Sequence, residues 1–241
     1  MITRFLMTAF ITLYLVSVPF GNQARAEEAK DDALFRILVL GDSLVSGYGI
    51  SKEEAYPAVL EAKFRQNGYP VKVINGGKSG DTALAGFNRL PFHLKQNPDL
   101  VVIVLGANDA LKGLEPGGAY AAIEKVIKLL QSQHIQPVLM GIKSPRNLGD
   151  AYAKKFDSIY PILAQRYNVP FYPFFLDGVA LKPEYNLSDR VHPNPDGVRV
   201  LVQNTSPFLM NIVYQMLMSM YAPQQQQQAQ PEDMKEKTVS E

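Results

Sequence analysis

The sequence predicts an α/β three-layer sandwich on a five-stranded parallel sheet, and three observations carry that prediction. Five short β-rich runs, at 35–40, 71–75, 100–105, 136–142 and 169–173, are spaced along the middle of the chain. All but the last are mostly continuous apolar runs, the pattern of strands buried on both faces of a parallel sheet. Stretches with helical apolar spacing separate them, and strand–helix alternation is the mark of a doubly wound α/β fold.

The first run, Ile37-Leu38-Val39-Leu40, stops abruptly at Gly41-Asp42-Ser43, and Ser46, Gly47 and Gly49 follow as further turn formers. Ala58, Leu60 and Phe64 then mark a helix. The second run enters "NGGKSGDT" at 75–82, followed by a helix marked by Leu84, Phe87, Leu90 and Leu94. The third ends on Gly106-Ala107-Asn108-Asp109. Gly117-Gly118 precedes a helix marked by Ala122, Ile123, Val126, Ile127 and Leu130. The fourth run ends on Lys143-Ser144-Pro145-Arg146-Asn147, and Phe156, Ile159, Ile162, Leu163 and Tyr167 mark the next helix. A last helix spans about 198–221, with a kink expected at Pro207. No internal repeat is visible.

The two ends read as outside this fold. Arg4, an apolar stretch at 5–20 and the small-x-small triplet Ala24-Arg25-Ala26 predict a secretory signal peptide over 1–26, cut after Ala26. The apolar stretch, at about 16 residues, falls short of the roughly 20 that span a bilayer, so stable membrane insertion is not expected. No cysteine follows it, which excludes a lipid-anchored lipoprotein. The globular domain is assigned to 27–222, in the periplasm or secreted. Residues 223–241, "PQQQQQAQPEDMKEKTVSE", are polar and Gln-rich and read as a disordered tail.

Of the 241 residues, 46% are hydrophobic, enough for one real core. Removing 1–26 takes away Arg4 and Arg25 and no acid, leaving 22 basic against 23 acidic residues. That balance points away from nucleic acid. With no cysteine, disulfides, thiolate metal sites and a Cys nucleophile are excluded. A monomer is expected.

In doubly wound sheets ligands bind outside the carboxyl ends of the strands, so the strand-end loops carry the functional reading. Several motifs fail there. Gly77-Lys78-Ser79 lacks the glycine a P-loop needs at 72, where Lys72 stands, and there is no G-x-G-x-x-G or G-x-S-x-G. His93, His134 and His192 lack zinc spacing; His93 and His134 read as surface or half-buried residues.

What remains is Ser43, a glycine loop, Asn108 and "SDRVHPN". A serine hydroxyl is a poor nucleophile until a base takes its proton, and a carboxylate commonly holds that base's tautomer. Asp189 and His192 stand three residues apart in a Pro-bounded loop. Backbone N–H groups of Ser43 and Gly80 and the Asn108 amide offer donors for an oxyanion. Each piece alone has a plainer reading: Ser43 as a helix cap, Asn108 as a turn residue, Gly80 as a positive-φ glycine. Asp196 reads as a first-turn acid of the final helix, behind Asn194 as cap and Pro195 as first residue.

Together, "GDSL" at 41–44, "NGGKSGDT" at 75–82, "GAND" at 106–109 and "DRVHP" at 189–193 resemble the four blocks of the SGNH, or GDSL, hydrolases. The likeness is closest to the bacterial periplasmic thioesterase I / lysophospholipase L1 and arylesterase branch, and covers about 35–205. The resemblance implies a flavodoxin-like sheet, a nucleophile at Ser43, a base and acid at His192 and Asp189, and an oxyanion hole of Ser43, Gly80 and Asn108. It implies hydrolysis of acyl or aryl esters, thioesters or lysophospholipids with no cofactor and no metal. Ala107 stands where many relatives carry glycine. Leu111, Leu114 and Leu148 fit an acyl pocket and fit loop packing equally. Deacetylation of a carbohydrate or cell-wall polymer is the alternative enzyme reading, and a non-catalytic binding module the remote one.

Overall fold

The computed structural model describes residues 34–228; the signal-peptide expectation, and the tail expectation beyond 228, lie outside them. Five strands, β1 (Phe35–Gly41), β2 (Val71–Gly77), β3 (Leu100–Val104), β4 (Gln136–Met140) and β5 (Phe171–Tyr172), form one sheet in the order β2-β1-β3-β4-β5. Every pairing is parallel. The central strand β3 and its neighbour β1 are buried along almost their whole length, as continuous apolar runs require of strands covered on both faces.

Among the described residues the α-helices are α1 (Ser43–Ser46), α2 (Tyr56–Gln66), α3 (Ala83–Leu94), α4 (Ala107–Leu111), α5 (Pro116–Ser132), α6 (Asp150–Asp157), α7 (Ile159–Tyr167) and α8 (Pro195–Gln228). Helices α2 and α8 pack together in one layer, and α3, α5 and α7 pack in sequence in another. The expected sandwich is therefore the fold. The chain leaves β1 outward to β2, then crosses back to β3. Strand order reverses at β1, which opens a crevice at the carboxyl ends of β1 and β3. No described helix is long and apolar enough to cross a membrane.

Two details depart from the sequence reading. The helix expected around Phe156–Tyr167 is two helices, α6 and α7, parted at Ser158. Pro161 has no N–H to offer the Asp157 carbonyl one turn back, so the ladder breaks there. Leu84, expected on the buried face of α3, is exposed; Leu90, expected there too, is buried, together with Ala83, Gly86 and His93. A Cβ on Gly86 would fall 2.5 Å from a Leu105 methyl, so the helix lies against the end of β3 on its glycine side. Helix α8 runs through Pro207 and is described to Gln228.

Close approach at the strand ends is built on glycine. Gly106, which caps α4, has φ +111°, and a Cβ there would lie 2.4 Å from the Tyr160 hydroxyl. That buried hydroxyl donates to the Leu105 carbonyl at 2.9 Å. Gly106→Ala is expected to destabilise the fold by about 2–4 kcal/mol, the sum of a left-handed backbone penalty and overpacking. Denaturant unfolding checks this; a change under about 1 kcal/mol would contradict it.

Candidate active site

Ser43 stands at the first position of the one-turn helix α1, immediately beyond β1. The helix cap is not Ser43 but Asp42, whose Oδ1 accepts the Leu44 N–H at 3.0 Å. Gly47 closes the turn in the left-handed region. With capping done by its neighbour, the Ser43 hydroxyl is free to face outward, and Oγ lies 2.9 Å from His192 Nε2.

His192 comes from the loop between β5 and α8. Its Nδ1 lies 2.7 Å from Asp189 Oδ2. The other carboxylate oxygen, Oδ1, accepts the backbone N–H groups of Val191 at 2.9 Å and His192 at 3.0 Å. The His192 backbone bond, helped by the Val191 bond and the imidazole, holds the Asp189 carboxyl down to about 2. An ionised carboxylate has no proton to give, so Nδ1 must donate, and Nε2 presents its lone pair to the Ser43 hydroxyl. The ring of Tyr48 lies 4.5 Å from the imidazole, tilted by 38°.

The loop that carries this pair is tied at both ends. Leu187 N–H donates to the His192 carbonyl at 2.8 Å, and Asn186 and Pro193 form an isolated antiparallel bridge. Asn194 donates from Nδ2 to the Glu184 carbonyl at 2.9 Å, and its Oδ1 accepts the Gly197 N–H at 2.9 Å. Asn194 is thus the cap of α8, as the sequence predicts. Asp196 lies in the first turn and pairs with Arg199.

Two further loops complete the crevice. Gly80, with φ +85°, lies in the turn before α3, and Thr82 caps that helix. Asn108, in α4, donates from Nδ2 to the Asp81 carbonyl at 3.0 Å and to Asp42 Oδ2 at 3.3 Å. Asp42 is fully buried, and burial pushes its carboxyl up to about 6 against the hydrogen bonds from Leu44 and Asn108. Asp109, also buried and also pushed up by burial, accepts the Ala83 N–H at 2.8 Å and so ties α4 to the start of α3. Lys112 donates to the Gly80 carbonyl at 3.3 Å.

The structure therefore brings Ser43, His192 and Asp189 into one hydrogen-bonded line, and sets Asn108 against the segment that begins at Gly80. Leu111 follows Asn108 on the same short helix; Leu114 and Leu148 lie in adjoining loops, and all three are exposed. His93, expected at the surface or half-buried, is buried beside Arg89. Sequence reasoning assigned no task to Asp42, Asp109, Arg89 or Tyr48. Asp42 and Asp109 sit inside the quoted blocks, where burial is the missing signal; Arg89 sits on a helix outside the four blocks. Among the described residues, no group of three or more His, Asp or Glu is placed to hold a metal ion.

The family model described as the GDSL-like lipase/acylhydrolase family matches residues 39–200. The arylesterase of Vibrio mimicus is 43% identical over 169 residues, 70% of this chain and 84% of that one. Thioesterase 1/protease 1/lysophospholipase L1 of Escherichia coli (strain K12) is 40% identical over 161 residues, 66% of this chain and 76% of that one. Among solved structures, the psychrotrophic esterase EstA from Pseudoalteromonas sp., inhibited by monoethylphosphonate, matches with a TM-score of 0.71 and 29% identity. The match covers 75% of this chain and 99% of that one.

Proposed function

The chain belongs to the GDSL-like lipase/acylhydrolase family, and on that premise we propose that it is an exported serine esterase working through an acyl-enzyme on Ser43. The observation that carries this reading is the line Ser43 Oγ, His192 Nε2, His192 Nδ1, Asp189 Oδ2, with contacts of 2.9 and 2.7 Å.

His192 takes the Ser43 proton on Nε2 as Oγ bonds to the substrate's carbonyl carbon. Asp189 stabilises the imidazolium through Nδ1–H and stays ionised. The carbonyl oxygen becomes an oxyanion received by the N–H groups of Ser43 and Gly80 and the Asn108 amide. Collapse breaks the bond to the alkoxide or thiolate, which leaves with the proton from Nε2. Water then gives its proton to His192, attacks the acyl carbon, and releases the acid and the Ser43 hydroxyl by the same steps reversed.

The substrates proposed are acyl and aryl esters, thioesters and lysophospholipids, the classes named by the relatives. Exposed Leu111, Leu114 and Leu148 are the residues proposed to meet the acyl chain. A panel of p-nitrophenyl esters, lysophospholipid, acyl-CoA and acetylated glycan tests this: hydrolysis of the first three classes supports it, and release of acetate from the glycan alone would replace it with the deacetylase reading. Export is tested by mass: the protein secreted from a competent host is expected to begin at Glu27, and a retained Met1 would overturn it.

Asn108→Ala is expected to lower kcat by about 10²–10³ with little change in KM, because an oxyanion donor acts mainly in the transition state. Steady-state kinetics decide. An unchanged kcat with a raised KM would make Asn108 a substrate-binding residue instead.

A further inference from the structure

We propose that Arg89 is a positioning residue for the oxyanion hole: one guanidinium pins the strand ends and the turn that carry two of the donors, and through that turn it orients the third. The inference rests on the reading of Ser43, Gly80 and Asn108 as those donors.

Arg89 lies in α3 with only 21% of its side chain exposed. Its Nη2 donates to the carbonyls of Gly41 and Gly76, each at 3.1 Å, at the carboxyl ends of β1 and β2. Its Nε donates to Asp81 Oδ2 at 2.5 Å, and its Nη1 lies 2.8 Å from His93 Nε2. Arginine does not give up its proton, so His93 Nε2 accepts. The fork is thereby spent on two strand ends, one turn and one buried imidazole.

Each donor is close in the chain to something Arg89 holds. Ser43 N–H is two residues beyond the Gly41 carbonyl. Gly80 N–H directly precedes Asp81, whose side chain is paired with Nε. Asn108 is oriented by the Asp81 carbonyl at 3.0 Å. A shift of Asp81 would therefore move the Gly80 amide and release the Asn108 amide together. Position matters because donors act at 2.7–3.1 Å from the developing charge.

A buried ion pair that merely stabilises the fold is the competing explanation, and such pairs contribute little net stability by themselves. It does not account for two more N–H groups converging on the carbonyls at one corner of the sheet. That convergence needs a planar fork, which lysine lacks.

The test measures kcat, KM, the pH profile and melting temperature for wild type, Arg89→Ala and Arg89→Lys with a p-nitrophenyl ester. It repeats Arg89→Ala with guanidinium chloride at a non-denaturing concentration. Arg89→Ala is expected to lose about 10² in kcat, comparable to losing one donor, with KM within about twofold. Added guanidinium is expected to restore part of that loss. Arg89→Lys is expected to fall about tenfold, since it supplies charge without the fork. The acid limb of the pH profile should keep its midpoint, because the Ser43–His192–Asp189 line is untouched. A kcat within about threefold of wild type, a loss confined to KM, or a moved midpoint overturns the proposal. If Arg89→Ala does not fold, Arg89→Lys decides by the same limit. A wild type without esterase activity sinks the underlying reading and this proposal with it; an active wild type with an indifferent Arg89 sinks this proposal alone.

Discussion

Ser43→Ala is expected to reduce ester hydrolysis below about one per cent of wild type while the protein keeps its fold. In a serine hydrolase the nucleophile's loss costs up to about 10⁶ in kcat. The structural cost is small because the substitution removes one oxygen from a partly buried side chain. The helix it begins is capped by Asp42, so the Leu44 N–H remains satisfied. Circular dichroism and thermal melting should match wild type within about 0.5 kcal/mol. An alanine variant that keeps more than a few per cent of turnover would mean that Ser43 is not the nucleophile.

The second large effect separates two aspartates. Asp189→Asn is expected to cost about 10²–10⁴ in kcat, up to the loss seen for the matching change in a serine protease triad. An amide at 189 can turn its NH2 toward Nδ1, which forces the proton onto Nε2 and leaves no lone pair for Ser43. Asp196→Asn is expected to leave kcat unchanged and to cost about 0.3–1 kcal/mol of stability, the worth of a first-turn charge on the dipole. The Asp196–Arg199 pair is exposed on both sides, so it adds little. The pH dependence has a definite sign. With its folded value held down to about 2, Asp189 adds stability above its unfolded value near 3.8, and that stability is lost as pH falls from 3.8 through 2. A steep loss of stability between pH 5 and 7 cannot come from this residue. If Asp196→Asn proves the inactive variant, the Asp189–His192 assignment fails.

Much of this was legible in the sequence for one physical reason: the strands are buried on both faces, so their apolar runs are continuous and their polar ends stand out. Ile37–Leu40 and Leu100–Leu105 could hardly be anything but central strands, and the residues just past them carry Ser43 and Asn108. The Asn194-Pro195 cap and Asp189 were readable because capping and loop chemistry are local. Less local features were hidden. Pro161 splits a helix whose apolar spacing runs on across the break, from Phe156 and Ile159 to Leu163. Leu84 looks like core by spacing, yet the face of α3 that meets β3 is chosen by Gly86, where absence of a side chain lets the helix close in. Arg89 was invisible because its partners are backbone carbonyls 48 and 13 residues away, and carbonyls have no sequence.

On the proposed reading, the acid and base sit three residues apart in one tied loop, while the nucleophile lies 149 residues before the base. During synthesis a chain folds from its N-terminal side first. The nucleophile therefore emerges well ahead of the group that activates it, and β1, β2 and β3 can pair while the hydroxyl is still inert. A nascent or truncated polypeptide ending before residue 189 holds all five strands and lacks both Asp189 and His192. On that reading, chemical competence arrives only with the loop of Asp189 and His192 and the helix that anchors it.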